Sequence, residues 1–327
     1  MPDRKNLMES LLGRRVSRKK FIKLFFASLA ALPISGIFTK DAKAEKSLPF
    51  NGRVSKGIKG ERDLVSVRGD DPYAITVKAV EAMGGMSRFV HNGDTVLVKP
   101  NIGWDRTPEQ AANTNPLVVA ALIDMSFAAG AKRVNVFDIT CNDPRRCYAN
   151  SGIEKISKEH GANIYFPDDW DMVEAHFSFA SPMEGWPILK DALECDTFIN
   201  APVLKDHGLS GLTLSMKNLM GVCGGNRGII HRNIGEKLVD LTRFINPDLT
   251  VIDAYRVLLR NGPTGGNLAD VKVMKTVIAA TDPALADTYA CSLVGIDPMS
   301  IPNINFARSI GFGKTDIASA DILKIEA

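Results

Sequence analysis

The chain has 327 residues, of which 45% are hydrophobic and 24% are charged. This composition is typical of a folded globular protein, so it excludes an intrinsically disordered chain and a fibrous repeat. The formal net charge is +3 at pH 7, but the excess of basic residues lies in the first 23 residues and the rest of the chain is slightly acidic. We therefore expect no nucleic-acid partner.

The N-terminus has the three parts of a secretory signal. A basic segment, 17–23 (SRKKFIK), is followed by an apolar stretch at 24–38 and by small residues that end at Ala44. The basic segment resembles a twin-arginine translocation signal, with Lys19 in place of the second arginine. The resemblance implies that the twin-arginine translocase is a partner during export. It also implies a periplasmic or exported protein after cleavage near Ala44.

We expect residues 1–44 to be a signal peptide that is removed, with a retained membrane anchor as the alternative. The apolar stretch 24–38 is shorter than the roughly 20 residues that a transmembrane helix needs. No stable membrane span is therefore expected after cleavage. Because the twin-arginine route carries folded proteins, the signal also indicates a cofactor taken up before export, whose identity is unknown.

The remaining chain is predicted to contain one domain. Residues 45–62 are polar and lack periodicity, which is typical of a flexible tether. From residue 63 onwards, strand-like and helix-like stretches alternate without a clear linker. We expect 63–327 to be a single α/β domain, in which 141–187 is a candidate flap or subdomain.

Short apolar runs alternate with helix-like stretches that begin or end at Pro and Gly. The predicted strands are 64–68, 95–99, 134–138, 163–166, 197–200, 249–253 and 275–280, and the predicted helices are 71–83, 115–129, 152–160 and 283–294. Continuous apolar runs suit strands that are covered on both faces. The pattern predicts a doubly wound, mostly parallel sheet with helices on both faces.

The five cysteines form no CxxC motif, so no zinc or thioredoxin-type site is indicated. In an oxidising compartment Cys141 and Cys147 could pair across the loop between them, with free thiols as the alternative. Cys291 lies in an apolar helical pattern and is predicted to be a packing residue.

Polar residues follow the predicted strands, where ligands bind in open parallel sheets. Lys99 and Asn101 follow the second strand, and we expect Lys99 to contact an anionic ligand and Asn101 to orient it. Lys205, Asp206 and His207 follow the fifth strand. We expect Lys205 to be a cation, and His207 to be a general base that Asp206 orients. The alternatives are a local turn at Asn101 and a solvated loop at 205–207.

A second group of candidate donors lies further along the chain. Lys217 and Asn218 interrupt an apolar helical stretch, and a glycine-rich segment with Arg227 and His231 follows. Such donors suit a phosphate or carboxylate ligand, while a flexible surface loop is the alternative. We also expect Asp253, Asp282 and Asp287, with His207 as a further ligand, to be candidates for a divalent metal. Helix capping is the alternative role for these carboxylates.

Several sequence phrases resemble those of a known family. They are VLVKPN at 96–101, LKDH at 204–207, SMKNLMG at 215–221, IDA to NGPTGG at 252–266 and ATDPALAD at 280–287. Residues 63–325 resemble the domain of unknown function 362 family. The resemblance implies a shared site built from Lys99, Asn101, Lys205, Asp206, His207, Lys217 and Asn218, with Asp253, Asp282 and Asp287 beside it. Many members carry iron–sulfur clusters, but this chain has no C-x2-C-x2-C run, so no such cluster is expected.

The leading hypothesis is an enzyme that acts on a small anionic substrate, although the sequence does not define the reaction. Lys99, Lys205 and Lys217 would stabilise negative charge while His207 moves protons. The rival hypothesis is a non-catalytic periplasmic binding or accessory protein for an exported redox enzyme.

Overall fold

The computed structural model describes residues 51–327. The predicted signal peptide, its cleavage site at Ala44 and the first part of the predicted tether lie outside these residues. Within the described range, no helix combines the length and the apolar character that crossing a membrane requires.

A sheet of ten strands forms the centre of the described chain. The strands of the chain are β1 (Leu64–Arg68), β2 (Thr95–Pro100), β3 (Arg133–Val136), β4 (Asn163–Ile164), β5 (Met172–Glu174), β6 (Pro187–Leu189), β7 (Thr197–Ala201), β8 (Val203–His207), β9 (Gly211–Thr213), β10 (Leu249–Leu258), β11 (Val271–Ala280) and β12 (Ile322–Glu326). The order is β12-β1-β11-β10-β7-β2-β3-β4, with β8 beside β10 and β9 beside β8, while β5 and β6 form a separate sheet. Most neighbours are parallel, which confirms the predicted fold class.

Helices connect the strands and begin at residues that satisfy their free N–H groups. The α-helices are α1 (Pro72–Ala82), α2 (Pro116–Ala128), α3 (Pro144–Asn150), α4 (Ile153–Glu159), α5 (Lys190–Glu194), α6 (Ser215–Asn218), α7 (Ile234–Ile245), α8 (Pro283–Leu293) and α9 (Pro302–Ile310). The side chains of Asp71, Asn115 and Asp282 accept N–H groups at the starts of α1, α2 and α8, and proline occupies the next position. The predicted starts of these helices are therefore confirmed to within one residue.

Alternate residues of the strands pack into two apolar clusters. In β2, Leu97 belongs to one cluster, while Val96 and Val98 belong to the other. Leu238 of α7 packs in the first cluster and Val118 of α2 in the second. Both faces of the sheet are therefore covered, which explains why the central strands are continuously apolar.

The stretch after β7 is a strand, where the sequence predicted a loop. Pro202 separates β7 from β8, and β8 pairs antiparallel with β9. The ten residues of β10 reach past β7: Leu249 and Thr250 pair with β7, whereas Asp253 and Leu258 pair with β8. The β8–β9 hairpin therefore extends beyond the carboxyl end of β7.

β11 runs antiparallel to both of its neighbours, β1 and β10. Its last residue, Ala280, pairs with Thr250 near the start of β10. Thr250 in turn pairs with Asn200, and Asn200 pairs with Lys99, so the chain that follows β11 starts level with these residues and runs away from the carboxyl ends of β2 and β7. Asp282 and Asp287 were expected to face the same crevice as Lys99, but they accept main-chain N–H groups at the starts of α8 and α6 instead.

Residues 51–62 contain no helix or strand, but they are tied to the domain. The buried guanidinium of Arg53 donates to three main-chain carbonyl groups and pairs with the carboxylate of Asp248. Lys56 pairs with Asp94. The described part of the predicted tether is thus held by charged contacts.

The candidate flap 141–187 is connected to the domain at several points. It includes α3, α4 and β4, and β4 is paired with β3. It also includes β5, which pairs with β6, and β6 begins at the last residue of the candidate flap. Ala175 and Met183 pack in the first apolar cluster.

Candidate functional site

A cavity of about 550 Å³ lies where β2 and β3 end, beside the β8–β9 hairpin and α6. Eight of the residues predicted from the sequence line it: Lys99, Asn101, Lys205, His207, Lys217, Asn218, Arg227 and His231. The topology therefore gathers two strand ends, a hairpin and a short helix around one concave surface.

Lys99 and Asp138 form a buried ion pair at the base of this cavity. Lys99 Nζ lies 2.8 Å from Asp138 Oδ1 and donates to the main-chain oxygens of Asn218 (2.6 Å) and Pro100 (3.0 Å). Burial lowers the pKa of Lys99, and the carboxylate of Asp138 opposes that shift. Gly221 packs against the pair, since a Cβ there would overlap the carboxylate and lie 2.8 Å from Lys99 Cε. The charge of Lys99 is therefore balanced within the protein.

Side-chain amides connect Lys205 to α6. Asn101 Nδ2 donates to Asn218 Oδ1 (3.1 Å), and Asn218 Nδ2 donates to Asn200 Oδ1 (2.9 Å). Asn101 Oδ1 accepts from Lys205 Nζ at 3.2 Å, and the same amine donates to the carbonyl of Ala112. The network fixes the Lys205 amine between two oxygen acceptors.

His207 is held as a neutral hydrogen-bond donor. The main-chain N–H of Leu209 donates to its Nδ1 at 3.1 Å, so Nδ1 is unprotonated and the proton of the neutral ring is on Nε2. Burial lowers the pKa of His207 to about 3, and the nearby charge of Lys217 acts in the same direction. This pattern fits a neutral donor better than the general base expected from the sequence.

His231 has the opposite arrangement of its two ring nitrogens. Its Nδ1 lies 3.3 Å from the main-chain oxygen of Gly228, which can only accept, so Nδ1 carries the proton. Its Nε2 lies 3.2 Å from Lys217 Nζ and presents a lone pair to that amine. The His231 and His207 rings are stacked, with centroids 5.5 Å apart. Burial lowers the pKa of His231, and Lys217 lowers it further.

The cavity carries more cationic than acidic side chains. Within residues 51–327, Asp138 is the one acidic residue that lines it, and its carboxylate is paired with Lys99. Burial lowers the pKa of Lys205 to about 7 and that of Lys217 to about 8. Both lysines therefore titrate near neutral pH, and the positive charge that they carry in their protonated forms favours an anionic ligand.

Arg227 closes one side of the cavity. Its Nη1 and Nη2 donate to the main-chain oxygens of Ile139 (2.8 Å) and Thr140 (2.6 Å). These bonds hold the 3₁₀ segment Arg227–His231 against the chain that follows β3. The guanidinium of Arg227 thus connects the predicted glycine-rich loop to the rest of the domain through hydrogen bonds.

Asp206 lies outside the cavity because successive residues of a strand point to opposite faces. Lys205 and His207 line the cavity, whereas the Asp206 carboxylate accepts the main-chain N–H of Gly262 at 2.8 Å. The carboxylate that was expected to orient the imidazole therefore faces away from it, and the main-chain N–H of Leu209 orients the ring instead.

The three aspartates proposed as metal ligands are not brought together. Each accepts main-chain N–H groups at its own position. The donors are Asn115 and Tyr255 for Asp253, Ala284 and Leu285 for Asp282, and Ser215 and Met216 for Asp287. Burial raises the pKa of Asp253 to about 6 and that of Asp287 to about 7. In the described chain, no group of three or more His, Cys, Asp or Glu side chains is placed to hold a metal.

The five cysteines are free thiols. Cys141 is exposed at the cavity, while Cys147 is buried, with its sulfur 3.8 Å from the main-chain oxygen of Gly103. The disulfide considered for Cys141 and Cys147 is therefore not formed. Cys291 is buried in the first apolar cluster, as predicted.

Two polar residues of the site were missed from the sequence. Asp138 ends the third predicted strand, and Asn200 ends the fifth. Asn200 also donates to the main-chain oxygen of Ser215 at 2.9 Å, which anchors the start of α6. A polar residue at the last position of an apolar strand, as at Lys99, was the signal that could have identified both.

Comparisons with known proteins place the chain in a family. It is 28% identical over 251 residues to a thylakoid-associated protein of Synechocystis sp., covering 72% of this chain and 74% of that protein. Among solved structures, it is similar to the lactate racemase apoprotein of Thermoanaerobacterium thermosaccharolyticum (13% identity, TM-score 0.40, 75% of this chain and 58% of the other). It is also similar to a protein from Thermotoga maritima (11% identity, TM-score 0.38, 70% and 60%). It thus spans less than two thirds of either solved chain. Residues 96–292, more than half of the sequence, match the family described as Domain of unknown function (DUF362), and the chain belongs to that family.

Proposed function

We propose that the cavity binds a small anionic ligand and that the protein is an enzyme acting on it. The observation that carries the proposal is the environment of Lys217, whose side chain is buried and lines the cavity. Its Nζ contacts a thioether, Met220 Sδ at 3.3 Å, and His231 Nε2. Neither group neutralises an ammonium ion, and a buried charge is costly unless it is paired. An anion in the cavity would supply the missing partner.

Lys205 supports the same proposal as a second buried lysine that lines the cavity. It is buried and bonded to neutral oxygen acceptors, so it adds a second positive charge that no carboxylate in the cavity balances. Hydrogen bonds between charged groups stabilise a complex by about 1.5–3 kcal/mol each. Two such contacts would bind and orient a small phosphate or carboxylate.

The test is calorimetric titration of the protein with phosphate, sulfate and malonate. We expect binding of at least one anion, weakened about tenfold or more in Lys217→Met and in Lys205→Met. Lys155→Met is the matched control, because that side chain is 80% exposed in α4. Equal affinity in all four proteins, or no binding to wild type, would contradict the proposal.

Enzyme and accessory roles can be separated with a bacterial metabolite extract. Wild type and Lys217→Met are incubated with the extract, and the small molecules are compared by mass spectrometry. A compound consumed by wild type and spared by Lys217→Met supports an enzyme. Identical profiles, together with retained anion binding by wild type, would favour the binding or accessory role.

We also propose that the N-terminus directs export through the twin-arginine route, with cleavage near Ala44. The basic segment, the apolar stretch and the small residues before Glu45 support this proposal. Fractionation of the native host and sequencing of the mature N-terminus test it. A chain that retains residues 1–44 in the cytoplasm would contradict export.

A further inference from the structure

Lys217 differs from the two other lysines of the cavity in what surrounds its amine. Lys99 is paired with Asp138, and Lys205 donates to two oxygen acceptors. Lys217 has a sulfur atom at 3.3 Å and an imidazole nitrogen at 3.2 Å. Oxygen acceptors favour an ammonium, whereas a thioether solvates it poorly. Within the described chain, the Lys217 amine is therefore the one of the three that donates to no oxygen acceptor, so it can lose a proton without breaking such a bond.

His231 is placed to exchange a proton with this amine. Because Gly228 accepts from Nδ1–H, the lone pair of the neutral ring is on Nε2, which faces Lys217 Nζ. His207 cannot take this role, since its Nδ1 already accepts from Leu209. The two stacked rings therefore have complementary functions, one as acceptor from Lys217 and the other as neutral N–H donor.

We propose that Lys217 is a nucleophile that forms an imine with the carbonyl carbon of a small anionic carbonyl compound, with His231 as its proton acceptor. This inference rests on the proposed anion site, in which Lys205 binds the negative group. A buried lysine beside other cationic groups is a recognised form of activated amine. Lys205 has the lower pKa, about 7 against about 8 for Lys217, but its amine is engaged by oxygen acceptors.

The step balances without an oxidant or a reductant. His231 accepts one proton from the Lys217 ammonium, and the free amine attacks the carbonyl carbon to form a C–N bond. The attacking nitrogen gives one of its protons to the former carbonyl oxygen, which becomes a hydroxyl group that accepts a hydrogen bond from His207 Nε2–H. His231 then returns its proton to that hydroxyl group, which leaves as water, and the lone pair of nitrogen forms the C=N bond.

The test is reductive trapping of the full chain with pyruvate and sodium cyanoborohydride. We expect one covalent adduct per chain by intact mass, and peptide mapping should place it on Lys217. Lys217→Arg should lose the adduct, and Lys155→Met should keep it. Acetone, which lacks the carboxylate, should label far more slowly. His231→Ala should slow trapping by about 100-fold or more, the usual range for loss of a general base.

Three results would overturn the inference. One is an adduct that maps to Lys205, and another is labelling of Lys217→Arg at the wild-type rate. The third is the absence of trapping, and calorimetry with pyruvate then separates the two proposals. Pyruvate binding without trapping would contradict the proposed imine and would leave the proposed anion site standing. The absence of binding by any anion would contradict both proposals.

Discussion

Replacement of Asp138 by Asn tests whether the buried pair with Lys99 holds the site together. The Lys99 side chain is 0% exposed and that of Asp138 is 3% exposed, with 2.8 Å between Nζ and Oδ1. The substitution removes the negative charge and keeps the shape. The side-chain oxygen of Asn can still accept the N–H of Ile102, which donates to Asp138 Oδ2 at 2.6 Å. The amide nitrogen then takes the place of the oxygen that faces Lys99 Nζ, so the change removes the counter-charge and leaves the ammonium opposite a donor.

Loss of one partner from a buried ion pair costs about 3–5 kcal/mol, because the other charge stays buried and unpaired. We expect Asp138→Asn to lower the free energy of unfolding by that amount at pH 7. The control is Glu154→Gln in α4, where Glu154 pairs with Lys158 at 2.6 Å but the Lys158 side chain is 62% exposed. An exposed helical pair of this kind contributes only about 0.3–0.5 kcal/mol.

The measurement is urea unfolding with linear extrapolation, at pH 7 and at pH 9. Burial lowers the pKa of Lys99 from its ordinary value of 10.5, and removal of Asp138 lowers it further. In both proteins the folded state binds fewer protons than the unfolded state, so stability rises with pH up to the unfolded pKa, and it rises more in the variant because its Lys99 pKa is lower. The deficit of Asp138→Asn should therefore shrink from pH 7 to pH 9. A deficit as small as that of Glu154→Gln, or one that grows with pH, would refute the reasoning.

The remaining predictions concern two other buried groups. Asp287→Ala should lower the free energy of unfolding by about 1–3 kcal/mol, because it leaves buried main-chain donors of Ser215 and Met216 without an acceptor. Urea unfolding checks this prediction, and an unchanged free energy of unfolding would contradict it. The His207 ring should show no titration between pH 5 and pH 8 in an NMR experiment, because burial holds its pKa near 3. Since its unfolded pKa is higher, its contribution to stability is lost as the pH falls below about 6.5; a midpoint near 6.5 in the folded protein would contradict the prediction.

Local sequence signals predicted seven of the twelve strands and four of the nine α-helices of the described chain, while α7 and α9 were not predicted. Asx-Pro pairs at 71–72 and 115–116 mark helix starts that the side chains do cap. The antiparallel direction of β11 could not be predicted, because an apolar strand has the same hydrophobic pattern in either direction. β8 was missed because Pro202 interrupts the apolar run, and its pairing depends on the distant strand β10.

The location of the site was predictable, whereas the roles of its residues were not. The rule that ligands bind beyond strand ends selected Lys99 and Asn101, and both line the cavity. The side chains of Asp206 and His207 point to opposite faces because they are successive residues of a strand. The sequence predicted a loop there, so this alternation was not expected. The tautomer of His207 is set by the N–H of Leu209, a contact that depends on the backbone turn after β8.

The three lysines of the cavity show why residue type alone does not define a site. The sequence predicted one role, the stabilisation of an anion, for three lysines of equal charge: Lys99, Lys205 and Lys217. In the fold, the first has a carboxylate partner, the second has neutral oxygen acceptors, and the third has a sulfur atom and an imidazole. These surroundings give a paired structural cation, an amine fixed by oxygen acceptors and an amine without an oxygen acceptor, in that order. Differences in chemistry within one cavity therefore arise from the partners that the fold supplies, and they determine which lysine is suited to covalent bond formation.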